Sequence, residues 1–586
     1  MKDGWPFLPI TGKFAARPLQ RATQRDLECP SGHRTSRELA PLDQGATDLG
    51  NFWRCRAMAG VKFTEMMLVL WLLAVGSVTA IPTEDDEARF ALPDDLLVGA
   101  GVAAIQTEGA WNEGGKSPSV WDVAFHSGNL IPLGYATNLH DKAADSYHRF
   151  REDLDAAVQM KLQMYRMSIS WARLLPDADS SKPNQEGVDY YHTVIDEVLK
   201  RNITPLVTMY HFDHPQILED EFKGWLDRRM VAKFGEYAAF VLKEYGSKVK
   251  LWTTVNEPNI YCSFLEGLIE TGRGEPLNAT DTVNVYPCLH YFLLAHGQAY
   301  RAFRDGNFEG KIGFTVTTLL SRPTSTSPED VYASESFNQM FAGMLLHPLV
   351  YGDYPQIVKN IAGDKLLKFT DDEKEMLKNS TDYIGLNVYY GMAVQYKDPA
   401  TPRRNIRVPL LQLFKEANFL EVGYRSPTGE SLEEYPLPMI APDAMRSALL
   451  WTWFTYKLPI MITENGIGYQ DMLGVHDHQR AVYHSAFMRA MVSTIHDFGT
   501  KIMGYSAWSL IDSYEWQWGF SRDFGLVHVD YEHGSLNRTL KDSASFWVEL
   551  AERRVVPLVV PSSSPFNRVS PALLLALAFA RAVSDI

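Results

Sequence analysis

Two glutamates each close a short apolar run that a strand-breaking residue follows. Glu464 closes the run that begins at Pro459, and Glu257 closes the run that begins at Leu251 and precedes Pro258. Such runs are typical of buried parallel strands, and a carboxylate at their end is poorly solvated. The two residues are 207 positions apart, which suggests that two strand ends meet at one site. Paired carboxylates can cleave a glycosidic bond. The alternative is that both glutamates are ordinary surface residues.

The chain alternates strand-like and helix-like segments eight times. A helical stretch such as Gln185–Arg201 has one apolar face, as the helices between parallel strands do. The pattern predicts an α/β fold, a single (β/α)₈ TIM barrel with long βα loops over the active-site mouth. The polar segment Lys397–Glu434 is expected to cross that mouth. The strand-like runs are Leu96–Glu108, Leu162–Trp171, Ile203–Phe212, Val249–Glu257, Lys311–Thr318, Asp382–Tyr390, Pro459–Glu464 and Lys501–Leu510.

Polar residues gather at the carboxyl ends of these runs, where barrels of this type build their sites. Gln106–Gly109 ends the first run, Tyr210–Pro215 the third, Asn387–Tyr390 the sixth and Trp508–Asp512 the last.

The two glutamate motifs carry a family resemblance. Asn256-Glu257-Pro258 and Thr463-Glu464-Asn465-Gly466 resemble the acid/base and nucleophile motifs of glycoside hydrolase family 1, the β-glucosidase family, and suggest a secreted, insect-like animal member. The similarity extends from about Phe90 to about Val556. It implies a retaining mechanism in which Glu464 attacks the anomeric carbon and Glu257 acts as acid and then base.

The resemblance also assigns supporting roles. Arg166 matches the arginine that pairs with the nucleophile, and Tyr389 matches the tyrosine that orients it. Glu515, among the substrate residues, would repel a 6-phosphate, so phospho-sugars are disfavoured. The residues that match substrate contacts are Gln106, His211, Asn256, Trp508, Glu515 and Trp516.

Two departures from the family pattern leave the choice between glucose, galactose and fucose open. Phe212 stands where tryptophan is common, and Ser513-Tyr514 replaces a common Asn-Phe pair. No metal is predicted, because His211 and His214 lack a third ligand at a metal-like spacing. No cofactor is predicted either.

The expected function is hydrolysis of β-linked glucosides or small oligosaccharides. The alternatives are a thioglucosidase, a transglycosidase, or a non-catalytic receptor-like homologue. Plant-type thioglucosidases of the family lack the acid glutamate, and non-catalytic members tend to lose one of the two, whereas this chain has both Glu257 and Glu464.

The composition bears on partners. The net charge of −15 over 586 residues argues against nucleic acid and against an anionic membrane surface. A small-molecule β-glycoside remains the expected partner, with a homodimer as a further expectation.

Both ends of the chain carry targeting features. The apolar core 66–80 ends in a small-x-small site, so residues 58–80 resemble a secretory signal peptide. Residues 1–57 then read as a non-native or disordered extension, with a transit sequence as the alternative. The barrel is predicted over 81–556. Residues 557–586 form a linker and apolar tail that resembles a GPI-anchor signal, the alternative being a disordered or interfacial tail.

Secretion suggests two covalent modifications. Cys262 and Cys288, 26 residues apart, are predicted to form a disulfide, with two buried thiols as the alternative. Asn278, Asn379 and Asn537 begin glycosylation sequons, and a further sequon at Asn202 is expected to be less accessible.

Overall fold

Eight parallel strands close into a barrel in a computed structural model that describes residues 84–135, 138–275, 285–389, 391–396, 419–421, 442–468 and 474–561. Neighbouring barrel strands are consecutive along the chain, and the last strand pairs with the first. The single (β/α)₈ barrel predicted from the alternating pattern is therefore confirmed. The barrel strands are β1 (Leu97–Gly101), β2 (Met164–Ser168), β3 (Thr204–Tyr210), β4 (Leu251–Asn256), β5 (Lys311–Thr318), β7 (Tyr383–Val388), β10 (Ile460–Asn465) and β11 (Ile502–Trp508).

Within the described ranges, five further strands lie outside the barrel. β6 (Ser321–Pro323) pairs in parallel with β8 (Met392–Tyr396), and β8 pairs antiparallel with β9 (Phe419–Glu421). β12 (Val527–Val529) and β13 (Arg538–Leu540) form an antiparallel pair.

Helices connect the strands, and several bury one apolar face. In Gln185–Lys200, for example, the buried positions recur three to four residues apart, as the sequence pattern predicts. The longer helices are Ser146–Gln159, Gln185–Lys200, Arg229–Tyr245, Val285–Asp305, Pro328–Asn338, Met344–Tyr351, Pro442–Tyr456, His478–Phe498 and Ala544–Arg553. The shorter ones are Glu84–Arg89, Ala104–Thr107, Val120–His126, Leu139–Lys142, Trp171–Leu174, Gln216–Phe222, Pro258–Ile260, Glu266–Gly272, Gln356–Ala362 and Asp371–Leu377. Single 3₁₀ turns cover Ile131–Leu133, Gly224–Leu226, Gly363–Lys365 and Trp516–Trp518, and π-turns cover Tyr261–Leu265 and Gln339–Gly343.

The barrel interior is apolar at one end and polar at the other. Arg166 of β2 reaches Glu464 of β10, which is not a neighbouring strand, so both side chains point into the barrel. Met164, two residues earlier, shares the face of Arg166 and belongs to a separate apolar cluster in the first half of the strands. The apolar cluster fills the amino-terminal end of the barrel, and the polar groups lie at the carboxyl ends of the strands. The cluster consists of Met164, Leu206, Leu251, Tyr383 and Met461.

The first strand is shorter than predicted. It ends at Gly101, and Ala104–Thr107 is a buried helical turn rather than a continuation of the strand. An apolar run buried on all sides has the same composition in a strand and in a short helix, so the periodicity could not separate the two. β4 likewise ends at Asn256, one residue before Glu257.

Several predicted segments lie outside the described residues. These are the extension 1–57, the signal peptide 58–80 and residues 562–586 of the tail. Of Lys397–Glu434, the structure describes only β9. Within the described ranges, none of the helices has both the length and the apolar character needed to cross a membrane.

Candidate active site

Glu464 is held by a cation and a phenol. Its carboxylate, at the end of β10, accepts a hydrogen bond at 2.6 Å from Nη1 of Arg166 and another at 2.6 Å from the hydroxyl of Tyr389. Both Glu464 and Arg166 are buried, so this ion pair is shielded from water. Burial raises the pKa of Tyr389 well above its usual range, so the phenol stays protonated and donates. The two contacts that the sequence predicts for Glu464 are both present.

Glu257 lies in a different environment. It follows β4 in the left-handed region, with φ of 45°, and begins the short helix Pro258–Ile260. A non-glycine residue in this region is uncommon and stores local strain, as residues of active sites often do. Nδ2 of Asn387 donates a hydrogen bond to the Glu257 carboxyl at 2.7 Å. Burial and the negative charge of Glu464 raise the pKa of Glu257 to about 7.

An amide network joins the two glutamates. Oδ1 of Asn256 accepts a hydrogen bond at 2.7 Å from Nη2 of Arg166, the arginine that also bonds Glu464. Asn387 donates to both Asn256, at 3.2 Å, and Glu257. The position of one carboxyl group is therefore linked to that of the other.

His211 completes this side of the pocket. Its Nε2 lies 3.4 Å from Nδ2 of Asn256, and its ring stacks at 5.9 Å on Trp508. Burial and the charge of Arg166 hold the pKa of His211 well below its usual range. The imidazole is therefore neutral, and it can hydrogen-bond to a sugar hydroxyl through one nitrogen that donates and one that accepts.

Gln106 and Glu515 are hydrogen-bonded to each other at the barrel mouth. Nε2 of Gln106 donates to the carboxyl of Glu515 at 3.2 Å and to the carbonyl of Tyr514 at 2.9 Å. Burial and the charge of Glu464 raise the pKa of Glu515 to about 8. This shift favours the protonated form of Glu515, whereas a carboxylate is predicted from the sequence.

The two tryptophans take separate positions. Trp508 ends β11, and the guanidinium of Arg166 lies 5.9 Å from its ring centre. Trp516 opens a 3₁₀ turn and packs edge-on against Trp121 at 4.9 Å. Each predicted substrate residue thus lies at the end of a strand or in the loop after it.

Asn387 and Thr463 belong to the site, although neither was given a role from the sequence. Thr463 donates its hydroxyl hydrogen to Oδ1 of Asn387 at 2.6 Å, which turns the amide nitrogen of Asn387 towards Glu257 and Asn256. The position of Asn387 in the sequence could have indicated a functional role, because it is a buried amide in the second half of an otherwise apolar strand.

The segment after β4 is fastened by a disulfide. Cys262 and Cys288 are bonded, with Cα atoms 5.8 Å apart, so the predicted pairing is confirmed and the two-thiol alternative is wrong. Cys262 lies in the π-turn that follows Glu257, and Cys288 lies in helix Val285–Asp305.

The sequons differ in what the structure shows. Asn379 and Asn537 are exposed, and Asn278 lies outside the described residues. Asn202 is also exposed, so the expectation that it is less accessible was wrong. It precedes its strand in a turn with φ of 56°, which turns the side chain outwards.

The chain matches the family described as "Glycosyl hydrolase family 1" over residues 88–555. The chain belongs to glycosyl hydrolase family 1. Beta-glucosidase 30 of Arabidopsis thaliana is 35% identical to this chain, and the similarity covers 80% of this chain and 83% of the relative. The cyanidin 3-O-glucoside 7-O-glucosyltransferase (acyl-glucose) of Delphinium grandiflorum is 35% identical over 84% of this chain and 97% of its own. The solved structure of aphid myrosinase superimposes with a TM-score of 0.70 at 31% identity, covering 79% of this chain and 99% of that one.

The family membership fixes the class of activity. The chain is an O-glycosyl hydrolase of the retaining β-glucosidase type, and the pair of carboxyl groups at the barrel mouth fits that chemistry.

Proposed function

We propose that Glu464 is the nucleophile and Glu257 the acid/base in the hydrolysis of small β-glucosides. The asymmetry between the two carboxyl groups carries this assignment. Glu464 accepts from Arg166 and Tyr389, which favours an ionised, oriented oxygen ready to attack. Glu257 has a neutral amide partner and a pKa of about 7, which suits a group that gives up and regains a proton near neutral pH.

The reaction then runs in two displacements. A carboxylate oxygen of Glu464 bonds to the anomeric carbon while Glu257 protonates the departing oxygen, so the glycosidic bond breaks and the aglycone leaves. The negative charge of Glu464 is lost in the ester, which removes one cause of the raised pKa of Glu257. Glu257, now a carboxylate, takes a proton from water as the water oxygen bonds to the anomeric carbon and displaces Glu464. Each displacement inverts the anomeric carbon, so the two together retain its configuration.

The sugar is proposed to lie against Trp508, with its hydroxyls on Gln106, His211, Asn256, Glu515 and Trp516. Asn256 is the proposed partner of the 2-hydroxyl, because it is fixed by Arg166 next to both glutamates. Gln106 and Glu515 are proposed partners of hydroxyls at the far end of the ring, since their mutual hydrogen bond is available for exchange with a diol.

The stereochemistry of the product and the preferred glycone test the proposal together. Purified enzyme is given an aryl β-glucoside in deuterated buffer, and proton NMR follows the first sugar released. β-Glucose is expected before mutarotation, whereas α-glucose as first product would contradict the mechanism. A panel of β-glucosides, β-galactosides and β-fucosides with matched aglycones then ranks glycone preference by kcat/KM.

The two enzymatic alternatives are tested in the same assay. A thioglucoside needs no proton on its leaving sulfur, and aphid myrosinase is a structural relative. The presence of Glu257, held by Asn387, instead favours oxygen leaving groups that need an acid. The Delphinium relative is named as a glucosyltransferase. Transfer of glucose to an added alcohol would appear as a new β-glycoside beside free glucose. Turnover of any of these substrates excludes the non-catalytic alternative.

We further propose that the enzyme is secreted and N-glycosylated at Asn379 and Asn537. Support comes from the apolar segment 66–80, from the exposure of both asparagines and from the disulfide, a bond typical of oxidising compartments. Attachment through a GPI anchor and assembly as a homodimer are proposals too. Phospholipase release from intact cells tests the anchor, and light scattering of the purified protein tests the dimer.

A further inference from the structure

The strand that ends next to Glu464 carries one extra residue just before this glutamate. In β10, Ile462 pairs with Leu386 of β7, and the next pair joins Glu464 to Asn387. Two residues of β10 thus span the distance of one residue of β7, and the pairing of β10 with β11 is shifted at the same place. Thr463 is therefore the additional residue of a β-bulge, an irregularity that re-aims side chains and is common next to active sites.

The bulge turns two successive side chains of β10 towards the site. In a regular strand, neighbouring side chains point to opposite faces, so only one of Thr463 and Glu464 would face the barrel interior. Here Glu464 contacts Arg166 across the barrel, and the hydroxyl of Thr463 contacts the side chain of Asn387. The amide of Asn387 in turn reaches Glu257. One strand end therefore supplies one carboxyl group and is connected to the other.

The amide of Asn387 has partners on both sides. Its Nδ2 donates to the carboxyl of Glu257 at 2.7 Å and to Oδ1 of Asn256 at 3.2 Å, and its Oδ1 accepts from the hydroxyl of Thr463 at 2.6 Å. In the part of the chain that the structure describes, Thr463 supplies the one hydrogen bond that this oxygen accepts. Thr463 and Asn387 are both fully buried, so loss of the hydroxyl would leave a buried acceptor without its donor.

The carboxylate of Glu464 is held by other groups. Its oxygens accept from Arg166 of β2 and from Tyr389, which follows β7. The hydroxyl of Thr463 is instead committed to Asn387. The side chain that lies next to Glu464 along the chain is thus connected, through one amide, to Glu257.

We propose that Thr463 is a positioning residue for Glu257, acting through Asn387, and not a support of the nucleophile that it precedes. The proposal rests on the proposed roles of Glu464 and Glu257. With its oxygen bonded to a hydroxyl, Asn387 presents only N–H groups to Glu257, which fixes the carboxyl group and favours its ionised form. That form takes the proton from water in the second displacement, so Thr463 should matter most for this step.

Thr463→Val tests the proposal, because it removes the hydroxyl and keeps the branched shape of the side chain. The substrate is a dinitrophenyl β-glucoside, whose leaving group needs no acid. Its kcat/KM therefore reports attack by Glu464, and its kcat reports hydrolysis of the glycosyl ester. We expect kcat/KM to stay within about twofold of the native value and kcat to fall at least about tenfold, since a hydrogen bond to a charged group is worth that factor.

Three further measurements identify the affected step. A burst of dinitrophenolate should precede the slow turnover, because the glycosyl ester accumulates. Azide should restore kcat and yield the β-glycosyl azide, since azide needs no base. The acidic limb of the kcat profile should move to higher pH, because the carboxylate of Glu257 has lost part of its stabilisation. A general loosening of the barrel would produce none of these changes.

Two control variants make the result specific. Thr463→Ser keeps the hydroxyl and should recover most of the native kcat. Thr208→Val is the matched control, because Thr208 is a buried threonine of barrel strand β3 whose hydroxyl has no hydrogen-bond partner among the described residues. Its loss should change neither kinetic constant. If valine does not fit the bulge and the variant fails to fold, Thr463→Ala is measured in its place and is expected to give the same pattern.

The outcomes separate this proposal from the one on which it rests. A fall in kcat/KM for the activated substrate that azide does not relieve would connect Thr463 to the nucleophile and overturn the proposal. Native values of both constants without the hydroxyl would overturn it as well. Glu257→Ala is measured in parallel. If azide rescues neither Glu257→Ala nor the Thr463 variant, the assignment of the two glutamates is wrong and this proposal fails with it.

Discussion

Glu257 and Glu464 have the same side chain, and their neighbours give them different chemistry. Glu464 has a guanidinium and a phenol as hydrogen-bond donors, whereas Glu257 has the amide of Asn387. Charge is thus stabilised on one oxygen pair, and protonation is favoured on the other.

Replacing each glutamate should produce different losses. Glu464→Ala should abolish turnover of every β-glucoside, because no glycosyl ester can form. Glu257→Ala should lower turnover roughly 10²–10⁴-fold for poor leaving groups but spare the first step for a nitrophenyl or dinitrophenyl glucoside. Azide should then rescue the Glu257 variant and yield the β-glycosyl azide. Rescue of Glu464→Ala to the β-azide, with none for Glu257→Ala, would mean that the roles are reversed.

The raised pKa of Glu257 predicts a pH-dependent stability difference. In the folded protein the pKa of Glu257 is about 7, against 4.5 for an ordinary glutamate. The protonated carboxyl group therefore favours folding fully below pH 4.5, and this contribution to stability is lost as the pH rises to 7. Glu257→Gln is neutral at every pH. Its free energy of unfolding should therefore exceed that of the native enzyme by at most about 3 kcal/mol at pH 8, and the excess should shrink to nothing near pH 4.

Denaturant unfolding at several pH values measures that difference. Glu375→Gln, at an exposed position on helix Asp371–Leu377, serves as the control and should show no such trend. A Glu257→Gln excess that is constant with pH would contradict the assignment of the proton. In the native enzyme, kcat/KM should also decline above about pH 7 as the acid loses its proton.

At the scale of elements, the periodicity of the chain accounts for the barrel. The eight strand-like runs each overlap one barrel strand, because a strand buried on both faces leaves a compact apolar segment between turn signals. The limits of the runs were less accurate. The helix Ala104–Thr107 carries Gln106 into the site. Its composition continues that of β1, so only the helical hydrogen bonds of its backbone distinguish the turn from the strand.

The site shows the same division between what patterns reveal and what only packing reveals. Arg166, Tyr389 and the glutamates were found from motifs, and their contacts are as expected. Asn387 could not be assigned a partner from the sequence, since its role depends on Asn256, Glu257 and Thr463 meeting across the barrel. The raised pKa of Glu515 could not be predicted for a related reason, because burial is a property of the assembled site.

The disulfide should stabilise the segment that follows Glu257. Closing a loop of 26 residues is worth about 3 kcal/mol in the chain-entropy account of cross-links. Cys262→Ser/Cys288→Ser should therefore lower Tm, and it should also lower kcat because the π-turn after Glu257 is less restrained. Reductant should bring the native enzyme to the same Tm and leave the double variant unchanged. Equal Tm values for native and double-variant enzyme would show that the bond does not support this segment.

At the scale of the whole molecule, the catalytic barrel is preceded by a segment with the features of a secretion signal. The family match begins at residue 88, shortly after the apolar segment that ends at Ala80. Two of the three sequons that are exposed in the described residues lie at Asn379, after helix Asp371–Leu377, and at Asn537, beside β13. A chain that passes through the secretory pathway would present both to the glycosylation machinery.

Expression of the full chain in animal cells should yield a secreted enzyme that begins near Ile81 and carries glycans at both asparagines. Asn537→Gln should remove one glycan because it removes the acceptor asparagine, and it should disturb the fold little because this exposed side chain accepts a single 3.2 Å bond from Arg149. Asn379 has φ of 57°, a conformation that aspartate tolerates better than glutamine, so Asn379→Asp is the appropriate variant there. Each variant should gain mobility by one step on a gel, and the double variant by two, while glycosidase treatment of the native enzyme should reproduce or exceed the double shift. A full-length amino terminus with no change in mobility would mean that the enzyme stays inside the cell, where the disulfide between Cys262 and Cys288 would need another explanation.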